Sequence, residues 1–344
     1  MPTVIPQWSS AQRVLVTGGA GFIGSHVTEA YLAGGYDVAV LDDLSSGRIE
    51  HVPAGAEFVQ ADVRSPQARA LVQDGGFAVL NHHAAQVDVR SSVADPMGDA
   101  DVNLLGLLNL LQGAHEGGVR RVILASSGGA IYGDGVDLPT DETATKSPAS
   151  PYGVAKLASE YYLATFAQLY GRETVVLRYS NVYGPRQRSD GEGGVVAVFG
   201  RRALRGDALT VYGDGEQTRD LVYVGDVAAA NLAASRCAAA SVVSVDGCAY
   251  NIGTGIQTAV NRLAALISEA SRQAPSIHHA AARLGEIRCS ALAADKAHRE
   301  IGWRPRTSLA EGIRATLRWL ATDACAEGKA ETRHPRLGSR RVAF

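Results

Sequence analysis

The sequence lacks several features that would place it at once in a large class of proteins. Its 344 residues include only four cysteines, widely separated, with no CxxC pair and no His/Cys spacing typical of zinc. We therefore expect free thiols and no metal site. No apolar run approaches the roughly 18 residues that span a bilayer, and the first residues do not resemble a secretion signal. A cytoplasmic protein without membrane association is expected.

The chain also lacks an excess of charge of one sign. Lys and Arg number 33 and Asp and Glu number 35, which gives a net charge of -2. A basic surface is the usual sign of nucleic-acid binding, so no nucleic-acid partner is expected. Apolar residues make up 46% and charged residues 20%, as in ordinary globular proteins, and the length allows two domains.

Short apolar segments alternate with helical stretches through the first half of the chain. Buried strands are predicted at residues 13–17, 37–41, 58–60, 78–81, 122–125 and 174–179. Helices are predicted between them, for example at residues 103–115. Because strands alternate with helices, the sequence predicts an α/β fold with a parallel, doubly wound sheet.

A glycine-rich turn follows the first predicted strand. Gly18, Gly21 and Gly24 have the spacing of a dinucleotide-binding turn, in which a tight bend and a close approach to pyrophosphate exclude side chains. Asp42 ends the second strand, where a carboxylate hydrogen-bonds a ribose diol and repels a 2′-phosphate. These residues predict NAD rather than NADP as the cofactor.

Tyr152 and Lys156 lie four residues apart on a predicted helix, so their side chains project from the same face. Ser150 is the predicted cap, Pro151 fits the first turn and Gly171 is the predicted C-terminal cap. Near the positive helix end and beside an ammonium, a phenol is expected to ionise below its ordinary pKa of about 10. The pair is frequent by chance, but here it follows the glycine turn, so we predict that Tyr152 is a base for a sugar hydroxyl.

The order of the motifs resembles one known family. The glycine turn at 17–24, the acidic segment at 42–44 and the Tyr/Lys pair at 152–156 occur in order with the segments 62–63, 83–86, 103–106, 178–185 and 218–224. Together they resemble the extended short-chain dehydrogenase/reductases, and among these the NAD-dependent UDP-sugar 4-epimerases of the epimerase/dehydratase family. The resemblance covers roughly residues 13–320.

The resemblance implies a division into domains. A Rossmann domain is expected over residues 12–183, with returns near 223–255. A smaller C-terminal α/β domain for the sugar nucleotide is expected mainly over residues 184–320, with flexible tails at residues 1–11 and 322–344. A homodimer is also implied.

The resemblance further implies 4-epimerisation of a UDP-hexose, UDP-glucose/UDP-galactose, with tightly bound NAD. Tyr152 is then expected to take the proton of the 4-hydroxyl, and Lys156 to hold the nicotinamide ribose. Arg219 and Arg283 match positions that grip the pyrophosphate, which suits bidentate guanidinium–phosphate pairing. Asn181 matches an amide that faces the substrate.

The chain departs from the family pattern beside the catalytic pair. The family carries Ser or Thr where this chain has Gly128. Ser127, a water molecule, or Tyr152 alone are the alternatives, and we hypothesise Ser127. Gly129 and Ala130 replace the acidic pair of the 4,6-dehydratases, which favours simple epimerisation. Ser290, where a bulky Tyr limits substrates to plain hexoses, leaves room for a 2-N-acetyl group.

The complete expectation for the site has three parts. The catalytic residues are Tyr152, Lys156 and Ser127. The cofactor contacts are Gly18, Gly21, Phe22, Ile23, Gly24, Asp42, Leu44, Ser45, Ser46, Gly47, Asp62, Val63, His83, Ala84, Ala85, Gln86, Asn103, Ser126, Tyr152, Lys156 and Ser180. The substrate contacts are Gly128, Asn181, Val195, Val211, Tyr212, Arg219, Arg283 and Ser290. Open alternatives are a UDP-N-acetylhexosamine or UDP-glucuronate 4-epimerase, and a non-catalytic NAD-binding sensor.

Overall fold

The computed structural model describes residues 12–189, 194–238, 244–282 and 287–333, with side chains described as far as residue 323. Elements are numbered in chain order. A large sheet contains seven strands: β1 (Arg13–Thr17), β2 (Asp37–Asp42), β3 (Glu57–Gln60), β4 (Val79–His82), β5 (Arg121–Ser127), β6 (Glu173–Tyr179) and β10 (Ala249–Ile252). Their order is β3-β2-β1-β4-β5-β6-β10, and every neighbouring pair is parallel. The predicted doubly wound parallel sheet is therefore confirmed, and its switch point lies between β1 and β4.

Helices cover both faces of this sheet. They are α1 (Phe22–Ala33), α2 (Pro66–Asp74), α3 (Val89–Ala94), α4 (Pro96–Ala100), α5 (Gly106–Glu116), α6 (Gly128–Ile131), α7 (Pro151–Tyr170) and α9 (Val224–Arg236). A π-helical turn at Asp101–Leu105 joins α4 to α5, and short 3₁₀ turns lie at Ile49–His51 and Val245–Gly247. One apolar core forms beneath α1 and α9, and the other beneath α2, α5 and α7. The sheet is thus sealed on both sides, as a parallel sheet requires.

The ends of α7 follow local rules that the sequence already contained. The Ser150 hydroxyl accepts a hydrogen bond from the Gly153 amide at 3.2 Å, and Pro151 lies in the first turn. Gly171 ends the helix in the left-handed conformation, with φ of 64°. The predicted caps are confirmed, and they fix where the helix begins relative to the end of β5.

A second unit is built from shorter elements. Strand β9 (Thr218–Tyr223) pairs in parallel with β7 (Asn181–Tyr183) and antiparallel with β11 (Gln257–Ala259). Strand β8 (Leu209–Tyr212) pairs in parallel with β12 (Ile277–Ala280). Helices α8 (Val195–Arg205), α10 (Val260–Ser271) and α12 (Leu309–Arg333) enclose a separate apolar core with these strands, and α11 (Asp295–Ile301) packs near β10.

The chain crosses between the two units more than once. After β9 it enters α9, which packs on α1, and β10 then extends the large sheet beside β6. Helix α12 continues to Arg333, so residues 322–333, expected in a flexible tail, are helical. Residues 1–11 and 334–344 lie outside the described part of the chain.

The sequence predicts free cysteines and no membrane-spanning segment, and the described residues can be examined for both. Cys237, Cys248 and Cys289 are free thiols. Within the ranges given above, no helix has the length and apolar character needed to cross a membrane.

A fully buried ion pair joins α7 to the large sheet. Arg178 of β6 and Glu160 of α7 are both 0% exposed, and Arg178 Nη2 lies 2.6 Å from Glu160 Oε2. Arg178 also donates to Tyr132 Oη at 3.0 Å and to Asp246 Oδ1 at 2.9 Å, while Ser126 Oγ donates to Glu160 Oε1 at 2.5 Å. Because each charge has several hydrogen-bond partners, the pair tolerates burial. The loss of either residue leaves the other as an unpaired buried charge.

We therefore expect Glu160→Ala to lower the free energy of unfolding by about 3–5 kcal/mol, since an unpaired guanidinium stays buried. Glu116→Ala is the matched control, because Glu116 pairs with Arg69 at the surface, where an ion pair contributes little to stability. Urea unfolding of both variants measures the difference. Similar small losses of unfolding free energy in both variants would contradict the structural role of the buried pair.

Candidate functional site

The site lies where the carboxyl ends of the central strands meet. The glycine turn follows β1, residues 83–86 follow β4, Ser126 and Ser127 end β5, and Ser180 follows β6. Ligands of open α/β sheets bind in the crevice at this edge, at the switch point. The sheet therefore brings together residues more than 150 positions apart in the sequence.

The glycine turn has no room for side chains. A Cβ atom on Gly24 would lie 2.1 Å from the Gly18 carbonyl oxygen, and one on Gly18 would lie 2.6 Å from the Ala84 amide nitrogen. Gly18 also has φ of 69°, in the left-handed region that glycine favours. The turn thus packs tightly on the strands and brings its backbone close to the space above β1.

Asp42 shapes the neighbouring loop. Its Oδ2 accepts from the Ala20 amide at 3.0 Å, and its Oδ1 accepts from the Leu44 amide at 2.9 Å. Leu44 has φ of 60°, an uncommon conformation for leucine that often marks a ligand site. A Cβ on Gly47 would lie 2.9 Å from Asp42 Oδ1, so this loop folds closely over the carboxylate. Burial raises the pKa of Asp42, while the two amide donors oppose the rise.

The residues present fit a dinucleotide. Helix α1 begins at Phe22 without any side-chain cap and without an acidic residue in its first turn, so its amides are available to an anion. Ser180 Oγ is a buried oxygen without a hydrogen-bond partner at the end of β6. An uncapped helix start, a glycine cradle and an unpaired hydroxyl are the features that a pyrophosphate and a nicotinamide end require.

Tyr152 and Lys156 lie side by side on the inner face of α7. Lys156 Nζ lies 5.9 Å from the centre of the Tyr152 ring and donates a hydrogen bond to the Ala125 carbonyl at 3.1 Å. Lys156 is only 5% exposed, whereas Tyr152 and Ser127 are partly exposed. Ser127 ends β5 near this pair, and its hydroxyl acts on the Tyr152 phenol by lowering the pKa of that phenol. The three predicted catalytic residues therefore meet at the crevice.

The expectation of a lowered tyrosine pKa is wrong for the protein without ligands. Burial raises the pKa of Tyr152 to about 12, the Asp99 carboxylate adds to the rise, and the Ser127 hydrogen bond opposes it. Burial also lowers the pKa of Lys156 to about 8, although the charges of Asp99 and Glu160 hold it up. Sequence spacing indicates which groups are neighbours, but it does not show the loss of solvent, which outweighs their attraction here.

Two acidic residues near Lys156 were missed in the sequence. Glu160 lies one turn after Lys156, and this i, i+4 spacing was a usable signal. Asp99 is buried, and its Oδ1 accepts from Gln86 Nε2 at 2.8 Å and from Asn103 Nδ2 at 2.9 Å, while Oδ2 has no partner. Nothing local in the sequence indicated that Asp99 would be brought to this site.

Several predicted cofactor residues direct their side chains to other protein groups. Gln86 and Asn103 hold one another, since the Asn103 amide pairs with both the N–H and the C=O of Gln86 at 2.9 Å. Asp62 accepts from the Arg64 guanidinium, which lowers the pKa of Asp62. Ser126 donates to Glu160, as described above. The side chains of these predicted cofactor residues are therefore held by other protein groups.

His83 and its neighbours continue the wall above β4. The His83 ring stacks on Tyr179 with ring centres 6.2 Å apart, and its Nε2 lies 3.3 Å from Asn231 Oδ1. Burial lowers the pKa of His83 to about 4, so the ring is neutral near pH 7. The Ala84 amide donates to Thr17 Oγ1 at 3.2 Å, which ties the segment to the glycine turn.

The predicted substrate residues lie mainly on the second unit. Asn181 is exposed at the start of β7, Arg219 lies on β9, and Tyr212 and Ser290 are partly exposed. Val195 begins α8 and is also partly exposed, whereas Val211 is 0% exposed within the core, so its side chain cannot meet a ligand. Gly128 lies at the start of α6. Arg283 lies outside the described residues.

Asp220 is a further residue that sequence reasoning missed. This fully buried carboxylate accepts from the amides of Thr254, Gly255 and Leu292 at 2.9–3.1 Å, and from Thr254 Oγ1 at 2.5 Å. It therefore fastens two loops to β9 beside Arg219. Asp220 lies within the segment 218–224, but its partners are 34, 35 and 72 residues away.

Comparisons with known proteins agree with this geometry. Residues 14–253 match the NAD dependent epimerase/dehydratase family. A UDP-glucose 4-epimerase from Mycolicibacterium smegmatis is 41% identical over 315 residues, 90% of this chain and 98% of that protein. The Thermotoga maritima UDP-glucose 4-epimerase, crystallised with UDP-glucose, shares 42% identity and a TM-score of 0.87, over 91% of this chain and 100% of that one. The Thermus thermophilus UDP-glucose 4-epimerase complex with NAD shares 43% identity and a TM-score of 0.82, over 90% and 99%.

The lysine at this site offers a direct test of the electrostatics. In protein freed of ligands, Lys156 is expected to lose its proton near pH 8, because burial disfavours its charge. The chain has only four lysines, so ¹³Cε NMR of labelled protein resolves their titrations, and Lys156→Arg identifies the signal by its loss. A midpoint at the ordinary value of about 10.5 would contradict a dry site.

Proposed function

The chain belongs to the NAD dependent epimerase/dehydratase family, and from this premise we propose that it is an NAD-dependent isomerase that interconverts UDP-glucose and UDP-galactose at C4. The observation that carries the proposal is that Tyr152 lies beside the buried Lys156 on α7, at the strand ends where Ser127 and the tight glycine turn also lie. A phenol in this position is poised to move the proton of a sugar hydroxyl.

The residues of the chain divide the work. Tyr152 Oη removes the proton from the 4-hydroxyl and later returns it, and Ser127 Oγ orients the two oxygens through its hydrogen bond. Lys156 holds the nicotinamide ribose and remains charged below about pH 8. NAD held at this site would supply reversible hydride acceptance at C4 of the sugar.

The cofactor preference follows from Asp42. Its carboxylate lies at the end of β2 beneath the loop of Leu44 and Gly47, where it meets a ribose diol and repels a 2′-phosphate. Phe22, Ile23 and the glycines present backbone amides to the pyrophosphate, and Ser180 offers its unpaired hydroxyl. NAD is therefore favoured over NADP.

Other reactions of the family need groups that this chain does not place there. Elimination of water requires carboxyl groups that move protons. Gly129 and Ala130, which stand at the corresponding positions, carry no carboxyl group. Simple epimerisation needs only the phenol and the hydride acceptor. This difference favours epimerisation over dehydration.

The second unit provides the sugar-nucleotide side. Arg219, and Arg283 outside the described residues, are assigned to the pyrophosphate, and Asn181 and Tyr212 to the rest of the nucleotide sugar. Ser290 is small and partly exposed, so a 2-N-acetyl group is accommodated. UDP-N-acetylglucosamine is therefore a second substrate within the same proposal.

A homodimer in the cytosol is part of the proposal. Helices α3 and α4 pack against α7, and together they expose large apolar side chains: Val93, Met97, Val154, Tyr161, Tyr162 and Leu169. Met97 is 83% exposed. A concentration of apolar side chains on adjoining helices is typical of a subunit interface.

Purified protein incubated with UDP-galactose is expected to form UDP-glucose, and Tyr152→Phe is expected to lower kcat by about 10²–10⁴-fold, since it removes the proton-transferring group. Resolving the products by chromatography measures both, and UDP-N-acetylgalactosamine and UDP-glucuronate are tested in parallel.

Tyr162→Phe is the matched control, because Tyr162 lies on the same helix with an exposed side chain. It is expected to retain full activity. A protein that binds NAD but forms no sugar isomer would be a sensor, and the proposed epimerase would be wrong. Turnover restricted to unsubstituted hexoses would remove the prediction made for Ser290.

Light scattering is expected to give a dimer for the native chain and a monomer for Val93→Asp/Met97→Asp, because buried charges at an apolar interface are costly. Ile256→Asp is the control, since Ile256 is exposed between β10 and β11, away from these helices. Monomeric native protein, or equal effects of both changes, would contradict the proposed interface.

A further inference from the structure

Leu292 lies directly against Gly128 at the edge of the catalytic site. A Cβ atom on Gly128 would lie 2.5 Å from Leu292 Cδ1 and 3.0 Å from Cδ2. Carbon atoms in folded proteins do not approach so closely, so any side chain at residue 128 must displace Leu292. The next residue differs, because the nearest atom to a Cβ on Gly129 is Ser127 Oγ at 4.0 Å.

The backbone does not explain why residue 128 is glycine. Gly128 begins the helical turn α6, and its φ is not in the left-handed region. Serine adopts this conformation without strain. The space taken by Leu292 is therefore the feature that excludes a side chain at this position.

Leu292 is held so that it cannot easily move aside. It is 3% exposed and packs in an apolar cluster with Ile131 and Tyr132. Its amide donates to Asp220 Oδ2 at 3.1 Å. On either side of it, Thr140 pairs with the Ala291 carbonyl and the Ala293 amide, both at 2.8 Å. The backbone is held on both sides of Leu292 and its side chain is packed in the apolar cluster, so a shift of this side chain is opposed by its neighbours.

We propose that Leu292 is a positioning residue that decides which hydroxyl group serves the reaction. By filling the space beside Gly128, it keeps residue 128 without a side chain and leaves the role to the adjacent Ser127 at the end of β5. The assignment rests on the proposed epimerase function. It adds that residues 127, 128 and 292 act as a coupled set. A serine at residue 128 can take over the role of Ser127 only when residue 292 is made smaller.

The steric part is tested without any substrate. Gly128→Ser is expected to lower the melting temperature by about 2–8 °C, because the new side chain overpacks the cluster, while Gly129→Ser changes it little. In a double-mutant cycle, Gly128→Ser/Leu292→Ala is expected to lose less than the sum of the two single losses. Additive losses, or equal effects of serine at 128 and 129, would overturn the coupling.

The catalytic part is tested by moving the hydroxyl. Ser127→Ala is expected to lower kcat about 100-fold or more. Adding Gly128→Ser to Ser127→Ala is expected to leave kcat as low as before, because Leu292 still fills the space. When Leu292→Ala is also present, adding Gly128→Ser is expected to raise kcat about tenfold or more: the triple variant Ser127→Ala/Gly128→Ser/Leu292→Ala is compared with Ser127→Ala/Leu292→Ala. Ser127→Ala/Gly129→Ser/Leu292→Ala is the control and is expected to gain nothing. Less than a tenfold loss in Ser127→Ala, or no recovery in the triple variant, would overturn the assignment.

A pH profile separates this role from a general loss of stability. Because the Ser127 hydrogen bond lowers the pKa of Tyr152, its removal is expected to move the rising limb of kcat to higher pH. The rising limb is expected to return toward its original pH in Ser127→Ala/Gly128→Ser/Leu292→Ala. An unchanged limb would overturn the role of Ser127, whereas full activity in Tyr152→Phe would overturn the epimerase proposal itself.

Discussion

The buried ion pair between Arg178 and Glu160 is the interaction on which the rest of the site depends. It fixes the rotation of α7 against β6, because Glu160 lies one turn beyond Lys156 on the same helix face. Once that rotation is set, Lys156 reaches the Ala125 carbonyl at the end of β5. Tyr152, one turn earlier, is brought to Ser127. Two opposite charges out of water are stable only with complete partners, so the surrounding hydrogen bonds are part of the same constraint.

The packing that this ion pair holds in place also excludes water from the site, and this changes the pKa values of Tyr152 and Lys156. Burial is the largest cause of both shifts, since it raises the pKa of Tyr152 and lowers that of Lys156. Asp99 and Glu160 then favour the charged lysine, while Asp99 disfavours a charged phenolate. With its pKa raised to about 12, the phenol keeps its proton at neutral pH. The proposed role of Tyr152 as a base would require further hydrogen bonds or positive charge beside it.

How much of this the sequence could predict depends on the range of each interaction. Strand positions, the caps Ser150 and Gly171, and the glycine turn follow from local periodicity and backbone conformation, and the structure agrees with them. The pairing of Gln86 with Asn103, the π-helical turn at Asp101–Leu105 and the buried Asp99 depend on contacts made only after folding. The direction of the Tyr152 pKa was wrong for the same reason, since desolvation is a property of the whole fold.

The contacts of Asp220 and Thr140 give the side of the site beside Gly128 a rigid wall, which bears on how the proposed enzyme would hold a sugar. Asp220 fastens residues 254–255 and Leu292 to β9, and Thr140 fixes the backbone around Leu292, so the side facing Gly128 is rigid and apolar. An apolar wall offers no hydrogen bond that favours one orientation of a hydroxyl-bearing ring over another. In the proposed enzyme the directional contacts would therefore fall on the nucleotide, for which Arg219 is the proposed contact. A sugar ring held at its phosphate end and bordered by an apolar wall would then be free to present either face of C4.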